Sequence, residues 1–92
     1  MSHTIEHRQK LLNRVRRLRG QVDALERTLM DEAGCTEVMS LLAACRGAIN
    51  GIMAGVLNDH IRTHMIDPSR KPTKDETAAA DELVEVLRSY IQ

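Results

Sequence analysis

Apolar residues dominate two stretches of the chain, and in each they recur at alternating steps of four and three residues. The first stretch contains Leu11, Val15, Leu18, Val22, Leu25 and Leu29. The second contains Val38, Leu42, Cys45, Ile49, Ile52 and Val56. This spacing places side chains along one stripe of an α-helix. It predicts two long helices, over about residues 5–30 and 36–65.

A third, shorter helix is predicted over about residues 74–91, where the apolar stripe consists of Ala80, Leu83, Val84, Leu87, Tyr90 and Ile91. Thr73 and Glu76 fit the capping-box pattern at its start. A short turn (DEAG, 31–34) and a proline-flanked loop (DPSRKP, 67–72) separate the helices. The pattern predicts one all-α domain over residues 1–92, with two long antiparallel helices and a short C-terminal helix.

Three glycines, Gly47, Gly51 and Gly55, lie four residues apart inside the second helix. A glycine costs a helix about 1 kcal/mol relative to alanine, so three on one face need a reason. The apolar period passes through them unshifted, which favours a continuous helix. A face without side chains lets a second backbone approach closely.

Size and composition favour an intracellular oligomer. The chain has 92 residues, and Tyr90 is its only aromatic residue, so a core must be aliphatic. A domain this small is expected to complete such a core by oligomerising. Two cysteines are too few for a disulfide framework. With no apolar run of membrane length and no secretory signal, we expect a cytoplasmic protein without a membrane partner.

Basic residues cluster near the N-terminus, although Lys+Arg and Asp+Glu are both 13. Residues 8–19 contain six bases, five of them arginine, and no acid. Arginine suits bidentate phosphate contacts, and the near-absence of aromatics argues against single-stranded binding. We therefore predict double-stranded DNA as the partner, with an acidic protein surface second. The predicted contacts are Lys10, Arg14, Arg16, Arg17, Arg19, Gln21 and Arg46.

His60 and His64 are spaced to share one metal ion on one helical face, although two solvated histidines would show the same spacing. Cys35 starts the same helix, where the N-terminal dipole favours the thiolate. The 25 residues between Cys35 and His60 correspond to roughly 37 Å of helix, so both cannot bind one ion within a chain. Two antiparallel copies would bring them together, with the two-fold axis near residues 48–49, between Gly47 and Gly51.

Further nitrogen donors are available at the N-terminus: His3, and the free amine of Ser2 once Met1 is removed. One thiolate with several nitrogens suits nickel(II) or cobalt(II), and zinc(II) is chemically acceptable, whereas copper(I) prefers two or more sulfurs. We interpret His7 as a solvated helix residue. Cys45 lies on the apolar stripe and is interpreted as core packing.

The sequence resembles the CsoR/RcnR family of bacterial metal- and stress-responsive repressors, through RVRRLRGQVDALER (14–27), Cys35, AACRGAINGIM (43–53) and the His60/His64 pair. The resemblance implies three-helix chains that form an antiparallel dimer and a flat, disc-shaped tetramer. It implies repression in the apo state and release from DNA when an inducer binds between subunits. It also implies that the basic residues of the first helix bind DNA.

The ligand pattern indicates a branch of that family. Copper sensors carry Cys, His and Cys at positions 35, 60 and 64, whereas this chain has His64. The set His3, Cys35, His60 and His64 resembles the nickel/cobalt-responsive branch, which controls metal efflux. The formaldehyde-responsive branch shares the cysteine and the first histidine but typically has proline at position 2, where this chain has serine.

The function we expect is a repressor that leaves operator DNA on binding nickel(II) or cobalt(II), which derepresses metal efflux. One alternative is a formaldehyde-responsive repressor in which the aldehyde crosslinks Cys35 to the N-terminal amine. Another is a metal chaperone or buffer without a DNA role. We do not expect an enzyme, because the sequence contains no recognisable catalytic dyad.

Overall fold

A computed structural model describes residues 5–67 and 69–91 of the chain, which form three α-helices and no strand. The helices are α1 (Ile5–Met30), α2 (Cys35–His64) and α3 (Lys74–Ile91). The prediction of an all-α, three-helix chain is confirmed. Helix α2 begins and ends one residue earlier than predicted, and it continues through all three glycines.

The turn between α1 and α2 is closed by a left-handed residue that is not a glycine. Glu32 has a φ of 55°. The amide of Ala33 donates to the carbonyl of Thr28 at 3.1 Å, and that of Glu32 donates to Leu29 at 3.3 Å. These bonds form a Schellman-type helix end, where glycine is the usual left-handed residue. Gly34 instead has an extended conformation and is the N-cap of α2.

Helix α3 starts with the predicted capping box. The Thr73 amide donates to Glu76 Oε1 at 2.9 Å, and the Glu76 amide donates to Thr73 Oγ1 at 3.1 Å. Arg70 adds two hydrogen bonds to the Glu76 carboxylate, at 2.7 and 2.8 Å. The Arg70 side chain and then the Thr73 amide lower the pKa of Glu76 from 4.5 to about 2.

Each long apolar stripe is divided in two. In α1, the members seven residues apart, Leu11, Leu18 and Leu25, are half-buried, whereas Val15, Val22 and Leu29 are 38–58% exposed. Helix α2 follows the same rule up to Ile52: Val38, Cys45 and Ile52 are covered, and Leu42 and Ile49 are 43% and 45% exposed. The last member of its stripe, Val56, is half-buried. One half of each stripe therefore packs between α1 and α2, and the other half is mostly uncovered in a single copy of the chain.

A small core joins the C-terminal half of α2 to α3. It consists of Ile61, Ile66, Ala80 and Val84, with Leu83 and Leu87 packed against it. Arg62 of α2 forms an ion pair with Asp81 of α3 beside this core. The position of α3 is thus fixed by the turn of α2 that carries His60 and His64.

The chain is flat and extended, 55 × 27 × 14 Å, with a radius of gyration of 17.1 Å. A compact domain of this length would have a radius of gyration of about 12 Å. By length and composition alone, α2 could cross a membrane. The expectation of no apolar run of membrane length is therefore wrong by that criterion. Core helices of soluble proteins meet the same criterion.

Candidate metal centre and nucleic-acid interface

The two histidines of the predicted metal site lie together on the last turns of α2. The rings of His60 and His64 are stacked, with centroids 4.7 Å apart and planes inclined by 28°. Both residues are exposed. Their ring nitrogens can therefore approach one ion from the same helical face without displacing any packed side chain.

Cys35 lies at the opposite end of the same helix. It is the first residue of α2, and its thiol is free and exposed. Because α2 is continuous, Cys35 stays roughly 37 Å from His60 in a single copy. Within residues 5–67 and 69–91, no three His, Cys, Asp or Glu side chains form a metal-binding group. His3 and Ser2, the other predicted donors, lie outside the described residues.

A buried carboxylate that the sequence analysis did not use lies next to His60. Asp59 is 5% exposed, and its Oδ1 accepts a hydrogen bond from His7 Nδ1 at 2.9 Å. His7 is an exposed helix residue, as interpreted, but its half-exposed side chain also joins α1 to α2, which the sequence analysis did not foresee. The sequence signal was available: Asp59 follows Val56 by three residues and so continues the apolar stripe, where a carboxylate needs a partner.

Most of the predicted DNA-contacting residues are exposed: Lys10, Arg14, Arg16, Arg17, Arg19 and Arg46. Arg16 also approaches the side-chain oxygen of Asn13, at 3.5 Å. Gln21 differs from this group, because it is half-buried and its Oε1 is buried without a hydrogen-bond partner in the described part of the chain. In a single copy, that oxygen does not face solvent.

Arg14 is held against the glycine face of α2. Its Nη1 donates to the Gly51 carbonyl at 2.8 Å. A Cβ at Gly55 would lie 3.5 Å from that nitrogen and 3.2 Å from Leu11 Cδ2, whereas a Cβ at Gly47 would meet nothing within 4 Å. Two of the three glycines therefore serve the contact with α1 of the same chain. Only Gly47 is open to another backbone.

The chain thus combines three helices with an exposed thiol, two exposed histidines and an exposed basic stretch on α1. A family model for metal-sensitive transcriptional repressors matches residues 7–89. The chain therefore belongs to this family of repressors, the CsoR/RcnR family that its sequence resembles. Members of the family are not enzymes, so the expectation that this chain is not an enzyme is confirmed.

Similar proteins span the whole chain. A Serratia marcescens protein described as "uncharacterized protein in bioA 5′ region" is 46% identical over 92 residues, covering 100% of both chains. The transcriptional repressor RcnR of Salmonella paratyphi B is 39% identical over 92 residues, again covering 100% of both. Among solved structures, a glutamate-to-histidine variant of the formaldehyde-responsive regulator FrmR from Salmonella enterica serovar Typhimurium is 38% identical. The match covers 97% of this chain and 99% of that one, with a TM-score of 0.69.

Proposed function

We propose that this repressor binds operator DNA in the apo state and releases it when nickel(II) or cobalt(II) binds between two copies of the chain. The observation that carries the proposal is the placement of an exposed thiol and two exposed, adjacent imidazoles at opposite ends of one continuous helix. An antiparallel pair of α2 helices would unite them twice per dimer.

The uncovered halves of the apolar stripes support such an assembly. Leu42, Ile49 and Met53 of α2 are 43–46% exposed, and Val22 and Leu29 of α1 are 47% and 58% exposed. Apolar area of this extent on a flat chain is stabilised when a second copy covers it. We propose a homodimer that pairs into a homotetramer.

The donor set fits a borderline metal ion. His60 and His64 would supply two imidazole nitrogens and Cys35 of the other copy one thiolate, with His3 and the Ser2 amine as further donors. One sulfur among several nitrogens suits nickel(II) or cobalt(II), and zinc(II) is also accepted. When bound, the ion would supply coordination bonds that link the two chains, which the apo protein lacks. Histidine at position 64, instead of a second sulfur, argues against copper(I).

Repression and release follow from linked equilibria. The exposed bases of α1 and Arg46 would neutralise DNA phosphates in the DNA-binding conformation. An inducer shifts the protein away from that conformation only by its higher affinity for the other one. By linkage, DNA weakens metal binding by the same factor, which makes the response allosteric in the strict sense. Such a protein acts on the chromosome, so we propose a cytoplasmic location and derepression of metal efflux as the output.

A second candidate function is formaldehyde sensing, because a variant of a formaldehyde-responsive regulator is 38% identical to this chain. Formaldehyde would bridge the Cys35 sulfur and the N-terminal nitrogen through one methylene carbon, with loss of one water. The exposed Cys35 thiol is accessible for that reaction. Ser2 in place of proline and the two-histidine face favour the metal.

Cobalt(II) spectroscopy tests the metal proposal. We expect a thiolate-to-cobalt charge-transfer band when the apo protein is titrated, and its loss in Cys35→Ala. The matched control is Cys45→Ala, which removes the other thiol, 8% exposed within the hairpin, and should leave the band in place. Absence of the band from the wild type, or its survival in Cys35→Ala, would contradict the proposed ligand set.

A further inference from the structure

A polar cleft of about 510 Å³ is lined by residues of all three helices. Its polar lining consists of Arg14 from α1, Asn50 and Asn58 from α2, and Arg88 from α3. Gly51 and Gly55 form part of its wall, and none of the lining residues is acidic. Two guanidinium groups thus face one solvent-filled space with no carboxylate to neutralise them.

Arg88 differs in charge from the rest of its helix. The preceding turns of α3 carry five acids between residues 75 and 85, and the other base of the helix, Lys74, is at its opposite end. Arg88 is exposed and makes no ion pair or hydrogen bond to the residues that the structure describes. A fixed positive charge therefore faces the cleft without an internal partner.

Arg14 connects this cleft to the basic stripe of α1. Its bond to the Gly51 carbonyl engages one N–H and leaves the rest of the guanidinium available. The same side chain lines a neighbouring cleft of about 270 Å³ with Arg17, and another of about 170 Å³ with Lys10. Lys10, Arg14 and Arg17 thus follow one trough between α1 and α2, and Arg88 lies across it from Arg14.

The remaining polar groups of the cleft can also donate hydrogen bonds. Asn58 Oδ1 accepts from Arg62 Nε at 2.9 Å, so its side-chain amide keeps its N–H groups for another acceptor. Arginine forks and amide N–H groups match the oxygens of a phosphate group. The cleft itself has no acidic lining residue, and Asp59, the carboxylate of the adjoining 170 Å³ cleft, is bonded to His7. In protein–DNA complexes, such donors bind the backbone and position the protein on the duplex.

We propose that Arg88 is a DNA-contacting residue, and that it binds a backbone phosphate of the operator across the trough from Arg14. The predicted interface, which the sequence confined to α1 and to Arg46 of α2, thereby extends to the C-terminal end of α3. This inference rests on the proposed function, because it needs the chain to bind duplex DNA.

The test measures affinity for a labelled duplex, selected by the wild-type protein from a random library, across salt concentrations from 0.05 to 0.5 M (roughly the range in which counterion release is resolved). Each lost phosphate contact makes the plot of log K against log salt less steep by about 0.9. If the variant and the wild type bound equally at 1 M salt, the variant would then bind roughly eightfold more weakly at 0.1 M salt. We expect Arg88→Ala to reduce the steepness by this amount for each copy of the chain whose Arg88 contacts DNA. Arg88→Lys keeps the charge and should retain most of the wild-type slope.

Two further variants make the result interpretable. Arg70→Ala removes the same charge from an arginine already bonded to Glu76, and it should leave the slope unchanged. Arg17→Ala, in the basic stripe of α1, reports on DNA binding itself. If Arg17→Ala lowers the slope and Arg88→Ala does not, the inference is overturned and the proposed function stands. If Arg88→Ala weakens binding with an unchanged slope, its role is structural and the inference also fails. If the wild type binds no duplex, the proposed function fails with it.

Discussion

Alanine at Gly55 should separate the packing role of the glycine face from ordinary helix propensity. In an open helical position, Gly→Ala stabilises a fold by about 1 kcal/mol. At Gly55, the new Cβ would lie 3.2 Å from Leu11 Cδ2 and 3.5 Å from Arg14 Nη1. The leucine methyl must move by a few tenths of an ångström, whereas 3.5 Å to Arg14 is an ordinary van der Waals contact. Overpacking of this kind typically costs about 1–3 kcal/mol.

The tight contact is with the end of one side chain, Leu11, which is only half-buried, so we expect the lower end of that range. The gain and the cost then nearly cancel, and Gly55→Ala leaves the free energy of unfolding within about 0.5 kcal/mol of the wild type. DNA affinity should be retained, because Arg14 is only in ordinary contact with the new Cβ and can keep its bond to the Gly51 carbonyl.

Gly20→Ala is the matched control. A Cβ at Gly20, in the middle of α1, would meet nothing within 4 Å, so this variant should be about 1 kcal/mol more stable than the wild type. Urea unfolding followed by circular dichroism measures both variants, at one fixed protomer concentration because oligomers gain stability with concentration. If Gly55→Ala stabilises the chain as much as Gly20→Ala, the close packing of α1 on the glycine face is refuted.

Three other outcomes are expected. Mixing Cys35→Ala with His60→Ala chains should restore about a quarter of the cobalt charge-transfer band. The reason is that about half of randomly formed two-fold dimers contain both variants, and each such dimer has one intact site of its two. If the site lay within one chain, mixing would restore none of the band. Glu32→Gly should stabilise the fold by about 1 kcal/mol in thermal unfolding, since glycine adopts the left-handed conformation without strain; an unchanged or lower stability would contradict the turn geometry. Arg70 lowers the pKa of Glu76 to about 2, so the stability that Glu76 provides is complete above about pH 4.5 and is lost between pH 4.5 and 2. The free energy of unfolding of Glu76→Gln should therefore depend less on pH over that interval than that of the wild type. Identical pH dependence would exclude the interaction.

Local sequence rules predicted the helices well. Alternating steps of four and three residues gave α1 and α2 to within one residue, and Thr73 with Glu76 marked the start of α3. These features depend on residues that are near one another in sequence, so their physical causes are visible there. The geometry of the turn was less predictable: the segment DEAG indicated a turn at 31–34, but not that Glu32 would be its left-handed residue and that Gly34 would cap the next helix.

Contacts between helices could not be predicted in the same way. The seven-residue division of each stripe into covered and uncovered halves depends on the angle at which α1 crosses α2. So does the bond from Arg14 to Gly51, which assigns two glycines to the hairpin itself. Arg88 lies 42 residues from Arg46 and outside the basic run, so only the position of α3 brings it to the cleft.

Only part of the candidate metal site could be predicted from the sequence. The spacing of His60 and His64 placed them on one face, and the length of α2 separates them from Cys35 of the same chain. The partner copy and the identity of the ion are not properties of a single helix. They depend on an assembly interface and on how many donors surround the ion.

The most direct test of the account is a DNA-release titration. Fluorescence anisotropy of a bound operator duplex would be followed while nickel(II), cobalt(II), zinc(II), copper(I) or formaldehyde is added to the apo protein. We predict release by nickel(II) or cobalt(II) near one ion per chain, and a loss of this response in His64→Ala with DNA affinity retained. The central claim would be contradicted if only formaldehyde or copper(I) released the DNA, or if none of the additions released it.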